Sequence, residues 1–305
     1  MAQRKKLQPA NRYLRYDFQL ANPGTEYSAF IDIGRDLSRI NRRLYRQGRD
    51  YHVKRITVVS ANTPDMGNRV SFSTIHDTWV SRNAWKRGFE TYQMMQSEAT
   101  KQISGDIKGT WDDFKVYMSL DHRTGTKLDP VDNGGTAFDV GEWQYSKLVT
   151  PDGTTSADEF DVHMLGNHSG SAGAWNSVGL IKSYGESRAT VQDGDPNVPA
   201  IASDDPLVNV FDYGTAIDEV IDLMEAVGDQ PPYDLDEYPG CDTNGAKPSV
   251  VQDSTLVGGR TSLGGFNAIA GLIEVEATSQ LQNDTLSILV ELSPGHYRGV
   301  KAEVI

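Results

Sequence analysis

The chain has 305 residues, 38% of them hydrophobic, and carries 29 Lys/Arg against 42 Asp/Glu for a net charge of −13. That is enough apolar material for one large core or two smaller ones, with no apolar run long enough to span a bilayer and no apolar segment of a secretion signal in MAQRKKLQPA. The single cysteine, Cys241, excludes an intrachain disulfide framework and a thiolate zinc cage, so a soluble protein held together by packing or assembly is expected.

In chain order, Leu14, Tyr16, Phe18 and Leu20 alternate with Arg15, Asp17 and Gln19, which predicts a half-buried strand closed by the turn Asn22-Pro23-Gly24. After residues 27–33 a basic helix is predicted, stopped by Gly48. It would set Arg39, Arg42, Arg43 and Arg46 at i, i+3, i+4 and i+7 on one face, with Leu37, Ile40 and Leu44 on the other. Strands are expected at 52–60 and 69–75 around a Pro64/Gly67 turn. Residues 81–103 predict the longest helix, with Ser81 as its cap and Trp85, Phe89, Tyr92 and Met95 as its core stripe.

Alternation at Phe114, Val116, Met118 and Leu120 predicts a further strand, followed by strands at 142–149 and 160–165, a loop at 166–173 and a short helix at 177–189. Ile217, Val220, Ile221, Met224 and Val227 mark an amphipathic helix with an acidic solvated face, and residues 231–240 read as an acidic turn-rich loop. Period-two runs at 269–277 and 286–292, then 300–305, close the chain with its clearest β signal. Eight or more short strands with long decorated loops and no dividing linker predict a mainly β chain. The expected fold is a single jelly-roll β-sandwich over residues 13–305, with helices and long loops between strands, behind a short basic arm at 1–12.

Charge is segregated along the chain. The first 55 residues hold 13 Lys/Arg against 5 Asp/Glu, and the remaining 250 hold 16 against 37. Four guanidinium groups crowded on one helical face repel one another unless an anion neutralises them, and a polyanionic backbone does so while releasing its counterions. The plainer alternative is a solvated face balanced by the acidic body of the same or a neighbouring subunit. Tyr45 and Tyr51 stand nearby as base-stacking candidates.

Motifs for nucleotide binding, nucleophilic hydrolysis and zinc proteolysis are missing, so no catalytic centre and no cofactor are expected. The six histidines show no metal-ligand spacing. Asp193-Gly194-Asp195-Pro196-Asn197 opens like a calcium loop, but Val198 replaces the glycine it needs, leaving at most a bridging role shared with Asp234 or Asp236. Carboxylates around Cys241 oppose its thiolate. Trp79, Trp111, Trp143 and Trp175 are expected in the core, with sugar platforms as the alternative.

Several phrases in order, DLSRINRRLYRQG (36–48), HDTWVSRNAWKRGF (76–89), GTWDDFKVYM (109–118), GEWQYSKLV (141–149), SVGLIKSYGESRATVQDGDPNVP (177–199) and PPYDLDEYPG (231–240), resemble capsid proteins of small circular Rep-encoding single-stranded DNA viruses. The resemblance covers roughly residues 30–240. It implies a non-enzymatic virion protein whose identical subunits assemble into a small icosahedral shell around circular single-stranded DNA, with a host surface receptor as a further partner. The arm departs from the better-known members: it has Arg4, Lys5, Lys6, Arg12 and Arg15 in place of a long Arg-rich tract. DNA contact is therefore expected from these five together with Arg39, Arg42, Arg43 and Arg46. The alternative is a soluble jelly-roll carbohydrate-binding protein or glycan-active enzyme.

Overall fold

Period-two alternation becomes paired strands wherever one face can be buried, and that condition is met at both ends of the chain. The computed structural model describes residues 8–60, 67–102, 109, 111–139, 141–150, 158–171, 174–187, 218, 222, 238–242 and 245–305. Its strands are β1 (Tyr13–Leu20), β2 (Glu26–Asp32), β3 (Arg49–Ser60), β4 (Arg69–Thr74), β5 (Thr126–Lys127), β6 (Lys147–Thr150), β7 (Asp158–His163), β8 (Ser169–Ser171) and β9 (Ala174–Gly179). They continue with β10 (Ser249–Thr255), β11 (Arg260–Leu263), β12 (Phe266–Ala268), β13 (Leu272–Thr278), β14 (Asp284–Leu292), β15 (Pro294–Gly295), β16 (Gly299–Val300) and β17 (Ala302–Val304). The helices are α1 (Ile33–Asn41), α2 (Trp79–Gln102), α3 (Leu120–Thr124) and α4 (Leu180–Glu186).

The chain is mainly β. One sheet runs β1-β14-β3-β11, with β12 and β17 also on β3, and the second runs β10-β4-β13-β2-β5. Eight of these eleven strands pair in a nested way: β1 with β14, β2 with β13, β3 with β11 and β4 with β10, all antiparallel. Between the sheets lies one apolar core, built from Leu14, Tyr16 and Phe18 of β1, Val58 of β3, Phe72 of β4 and Ile288 of β14 among others, all buried. Because consecutive core strands run antiparallel, their connections alternate between two ends. Short turns gather at one end, where Gly24 N–H donates to the Ser279 carbonyl and Ser60 N–H to that of Gly259. The long connections, α1 with its loop and the segment from 75 to 248, leave from the other end.

That long segment has a core of its own. Trp85 of α2, Phe114, Val116, Met118, Val162, Leu180 and Ile181 pack with Phe30 of β2 and Leu272 of β13. The second sheet thus buries residues on both faces near β2, Ala29 and Ile31 toward the sandwich and Phe30 toward the insertion. A small sheet, β6-β7-β9-β8, completes the insertion.

Several predicted elements change. Residues 114–119 are buried except for half-buried Tyr117, without the alternation of a half-exposed strand, and they form a single bridge, Tyr117 to His163. Their backbone is satisfied from two sides: Lys115 N–H donates to Ser146 Oγ and Val116 N–H to Gln47 Oε1, while Tyr117 N–H donates to the Val162 carbonyl of β7 and the Tyr117 and Met118 carbonyls accept from Met164 and Leu165 N–H. Leu120 opens α3, capped by Ser119. Of 142–149 only 147–149 is strand, as part of β6, the 166–173 loop contains β8, and the described part of the predicted 177–189 helix is the end of β9 followed by α4 and Ser187. Ile269 falls in a one-turn 3-10 helix ahead of β13. The long helix begins at Trp79, with Thr78 as the group that accepts from Ser81 N–H. The Pro64 turn, the Asp193 loop, Asp234, Asp236 and most of the 217–227 helix lie outside the described residues.

Replacing Phe72, buried between the sheets, by alanine is expected to cost about 3–5 kcal/mol in urea unfolding, whereas Val257→Ala at an exposed turn should stay within about 0.5 kcal/mol.

Candidate nucleic-acid interface

The basic segment does not stay helical. Asp32 caps α1, its carboxylate accepting from Arg35 N–H at 3.1 Å. The helix ends at Asn41, with Arg42 at φ 53° in the left-handed capping conformation. Continuing it would have stacked three more guanidinium groups on the Arg39 face and held Tyr45 away from its pocket. Instead the chain folds back: Tyr45 N–H donates to Ser38 Oγ, the Tyr45 ring is fully buried, and its hydroxyl donates to the Arg298 carbonyl. Gly48 does not stop a helix; a Cβ there would stand 2.5 Å from Trp85 Cη2, so glycine is what admits the ring of α2. Tyr51 is equally buried, donating to the Arg46 carbonyl. Neither tyrosine can stack on a base.

Below this loop lies a buried polar network. Gln47, fully buried, donates from its side-chain nitrogen to Asp32 Oδ2 at 3.1 Å and to the Val116 carbonyl at 3.0 Å, and its backbone N–H donates to Asp113 Oδ2 at 3.0 Å. Asp32 Oδ2 also accepts from Trp143 Nε1 and Tyr145 Oη. Met118 N–H donates to His122 Nδ1, which leaves Nε2 to donate to Tyr145 Oη, so a directed chain runs from Met118 through His122 and Tyr145 to Asp32. Burial fixes His122 as neutral, pushing its pKa down to about 3, helped by the nearby Lys127 and Arg35 charges. Burial likewise pushes the Asp32 carboxyl up to about 6 despite the opposing Arg35 charge.

Over the network opens a groove of about 1500 Å³, walled by the α1 loop, the outer half of α2 and the segments around 109–115 and 139–144. All four predicted arginines, Arg39, Arg42, Arg43 and Arg46, line it, although no common helix face holds them. Their availability differs sharply. Arg39 is only 7% exposed and is held by Asp129 at 2.6 Å. Arg46 is tied to Asp113 at 3.1 Å and to the Asp112 carbonyl. Arg42 and Arg43 are exposed and carry no ion pair among the described residues; Arg43 reaches only the Pro9 carbonyl, at 3.5 Å. Arg12 and Arg15 do not line the groove: Arg12 precedes β1, and Arg15 pairs with Asp17 along that strand. Arg4, Lys5 and Lys6 lie outside the described residues. Asn11, next to Arg12, donates its N–H to Asn41 Oδ1 at the end of α1.

The groove also has walls outside the basic segment. Trp111 is 67% exposed, and Trp143 is half-buried with the Lys115 ammonium 4.9 Å from its ring centre. Trp79, Trp111, Trp143 and Trp175 are all at least partly exposed, a correction to their expected core placement; Trp85 alone among the tryptophans is buried, on the inner face of α2. Exposed Asp139 and Glu142 line the same groove. Their signal in the sequence was faint: tryptophans followed or preceded by carboxylates, with no period to place them. Cys241 is buried, and desolvation with Asp242 beside it pushes its thiol up to about 11. No group of three metal-ligating side chains occurs among the described residues.

No family model, no curated protein and no solved structure matches this chain.

Between pH 4 and 6 the folded state holds a proton on Asp32 that the unfolded chain has already lost, so this group's contribution to stability falls as pH rises through that window. Relative to Asp32→Asn, the wild type should lose roughly 2–3 kcal/mol of stability between pH 4 and 6.5 and nothing further above it. Chemical unfolding at half-unit pH steps checks this; a constant gap between the two proteins would show that Asp32 is ionised throughout.

Proposed function

We propose that this chain is the shell-forming subunit of a small single-stranded DNA virus, a non-enzymatic capsid protein whose eight-stranded sandwich is a jelly roll. The observation that carries the reading is the nested pairing of first with eighth, second with seventh, third with sixth and fourth with fifth sandwich strands. A long antiparallel hairpin rolled into two sheets produces that pattern, and it is the architecture of the jelly rolls that build many viral shells. Loops collected at the two ends leave the sheet edges and loop ends free for lateral contacts between identical subunits under closed symmetry. The DNA-facing surface in this reading is the long-loop end, where Arg42 and Arg43 stand unpaired. The ordered phrases that resemble capsid proteins point the same way.

A second reading has an observation in its favour. Exposed Trp111 in the same groove as Asp139 and Glu142 fits a carbohydrate-binding jelly roll or a glycan-active enzyme, an aromatic platform with carboxylates in the same space. It requires a soluble protein with no tendency to close into particles.

Electron microscopy of the purified chain decides between them: closed homo-oligomeric particles are expected, and a strictly monomeric or dimeric species across salt and pH would sink the capsid reading. Charge removal refines it. The pair Arg42→Gln and Arg43→Gln should leave particles intact while lowering their nucleic-acid content, read as the ratio of absorbance at 260 and 280 nm. Arg39→Gln should instead lower stability by roughly 1–3 kcal/mol, because it strips Asp129 of a buried partner.

A further inference from the structure

A surface that only neutralised phosphate would be basic throughout, yet this groove sets two unpaired carboxylates among its cations. Asp139 and Glu142 are exposed and have no ion pair among the described residues, as is true of Arg42 and Arg43. A phosphate chain laid along the whole groove would meet Coulomb repulsion at 139 and 142. Carboxylates can, however, accept hydrogen bonds from base edges. The exposed indole of Trp111, which makes no ring contact with another aromatic side chain among the described residues, offers a stacking platform in the same space.

Resting on the single-stranded DNA reading above, we propose that the groove reads bases: phosphates sit on Arg42 and Arg43, an unpaired base stacks on Trp111, and Asp139 and Glu142 accept from its exocyclic amino group. Cytosine fits this, since its N4 amino group donates where thymine carries a carbonyl that two carboxylates would repel. A duplex does not fit, because its bases are stacked and their pairing edges are occupied. The groove is broad enough for a few nucleotides at 1500 Å³, and the segments bearing the acidic and basic groups are anchored from beneath: Trp143 by Asp32, and Arg46 by Asp113.

The test uses the intact purified chain and fluorescence anisotropy of labelled dC12, dT12 and a 12-base-pair duplex at fixed salt. Binding of dC12 should be at least about five-fold tighter than dT12, the low end of discrimination by a good base contact, with the duplex weakest. Asp139→Asn with Glu142→Gln should abolish the preference by raising dT12 affinity toward that of dC12. Trp111→Ala should weaken both oligonucleotides about five-fold or more without changing their ratio. Equal affinity for dC12 and dT12, a preference that survives the double substitution, or tighter duplex binding would each overturn base reading. Particles that package DNA under any of those outcomes leave the capsid reading standing; a chain that neither assembles nor binds either oligonucleotide defeats both.

Discussion

The side chain of Gln47 bonds three ways inside the protein: to the carboxylate that caps α1, and to both the carbonyl and the N–H of Val116. Its backbone adds a fourth link, to Asp113. These bonds join the α1 loop to the inserted segment, two stretches of chain with no strand pairing between them. Each buried polar atom left without a partner would cost about 1–3 kcal/mol, so the arrangement holds together as a set. It fixes where the loop turns after Arg46, and hence where Arg42 and Arg43 emerge. The groove above is defined by the network below it.

A second constraint comes from the sheet containing β2 and β13. Alternate residues of β2 face two different cores, Ala29 and Ile31 the sandwich and Phe30 the insertion. A strand buried on both faces has no freedom to slip by one residue, because a slip exchanges the two sets of side chains. The His122 ring stacks on Phe30 at 4.9 Å between centres, so the aromatic layer on the outer face passes directly into the polar chain that ends on Asp32. Packing and polar satisfaction therefore meet at the C-terminal end of β2, where the helix carrying Arg39 begins.

Much of the sandwich was legible because its signal is local. Leu14 to Leu20 and Leu286 to Leu292 alternate cleanly, and both strands bury the expected side. The nesting of the eight strands was not legible, since partners such as β1 and β14 are separated by nearly the whole chain and no pattern in either names the other. The basic helix ends short of its predicted length for a physical reason: helical spacing of Arg39, Arg42, Arg43 and Arg46 looks favourable on a wheel that omits their mutual repulsion and the pocket that Tyr45 fills. Segment 114–118 alternates in its sequence, yet Lys115 is buried along with Phe114 and Val116, and its backbone divides its hydrogen bonds between the side chains of Ser146 and Gln47 and the residues of β7 and just beyond it. A lone glutamine carries no periodicity, so the residue that organises the site left no trace in the pattern.

Among the described residues, folding also spends most of the basic head on the protein itself. Arg35 is locked to Asp36, Arg39 to Asp129, Arg46 to Asp113, and Lys54 and Arg55 both to Glu291, while Arg49 lies over the Tyr297 ring at 4.2 Å. A charge map drawn from the sequence therefore overstates what a polyanion meets. Counting Arg42 and Arg43 alone, two neutralised phosphates per subunit give a salt slope of only about −1.4 for single strands, and a correspondingly weak isolated contact. Such a contact becomes useful when many identical copies present it to one strand, because each further engagement is intramolecular once the first has formed. Under the proposed shell reading, weak binding by one subunit and firmer retention by a closed array would follow from the same few free charges.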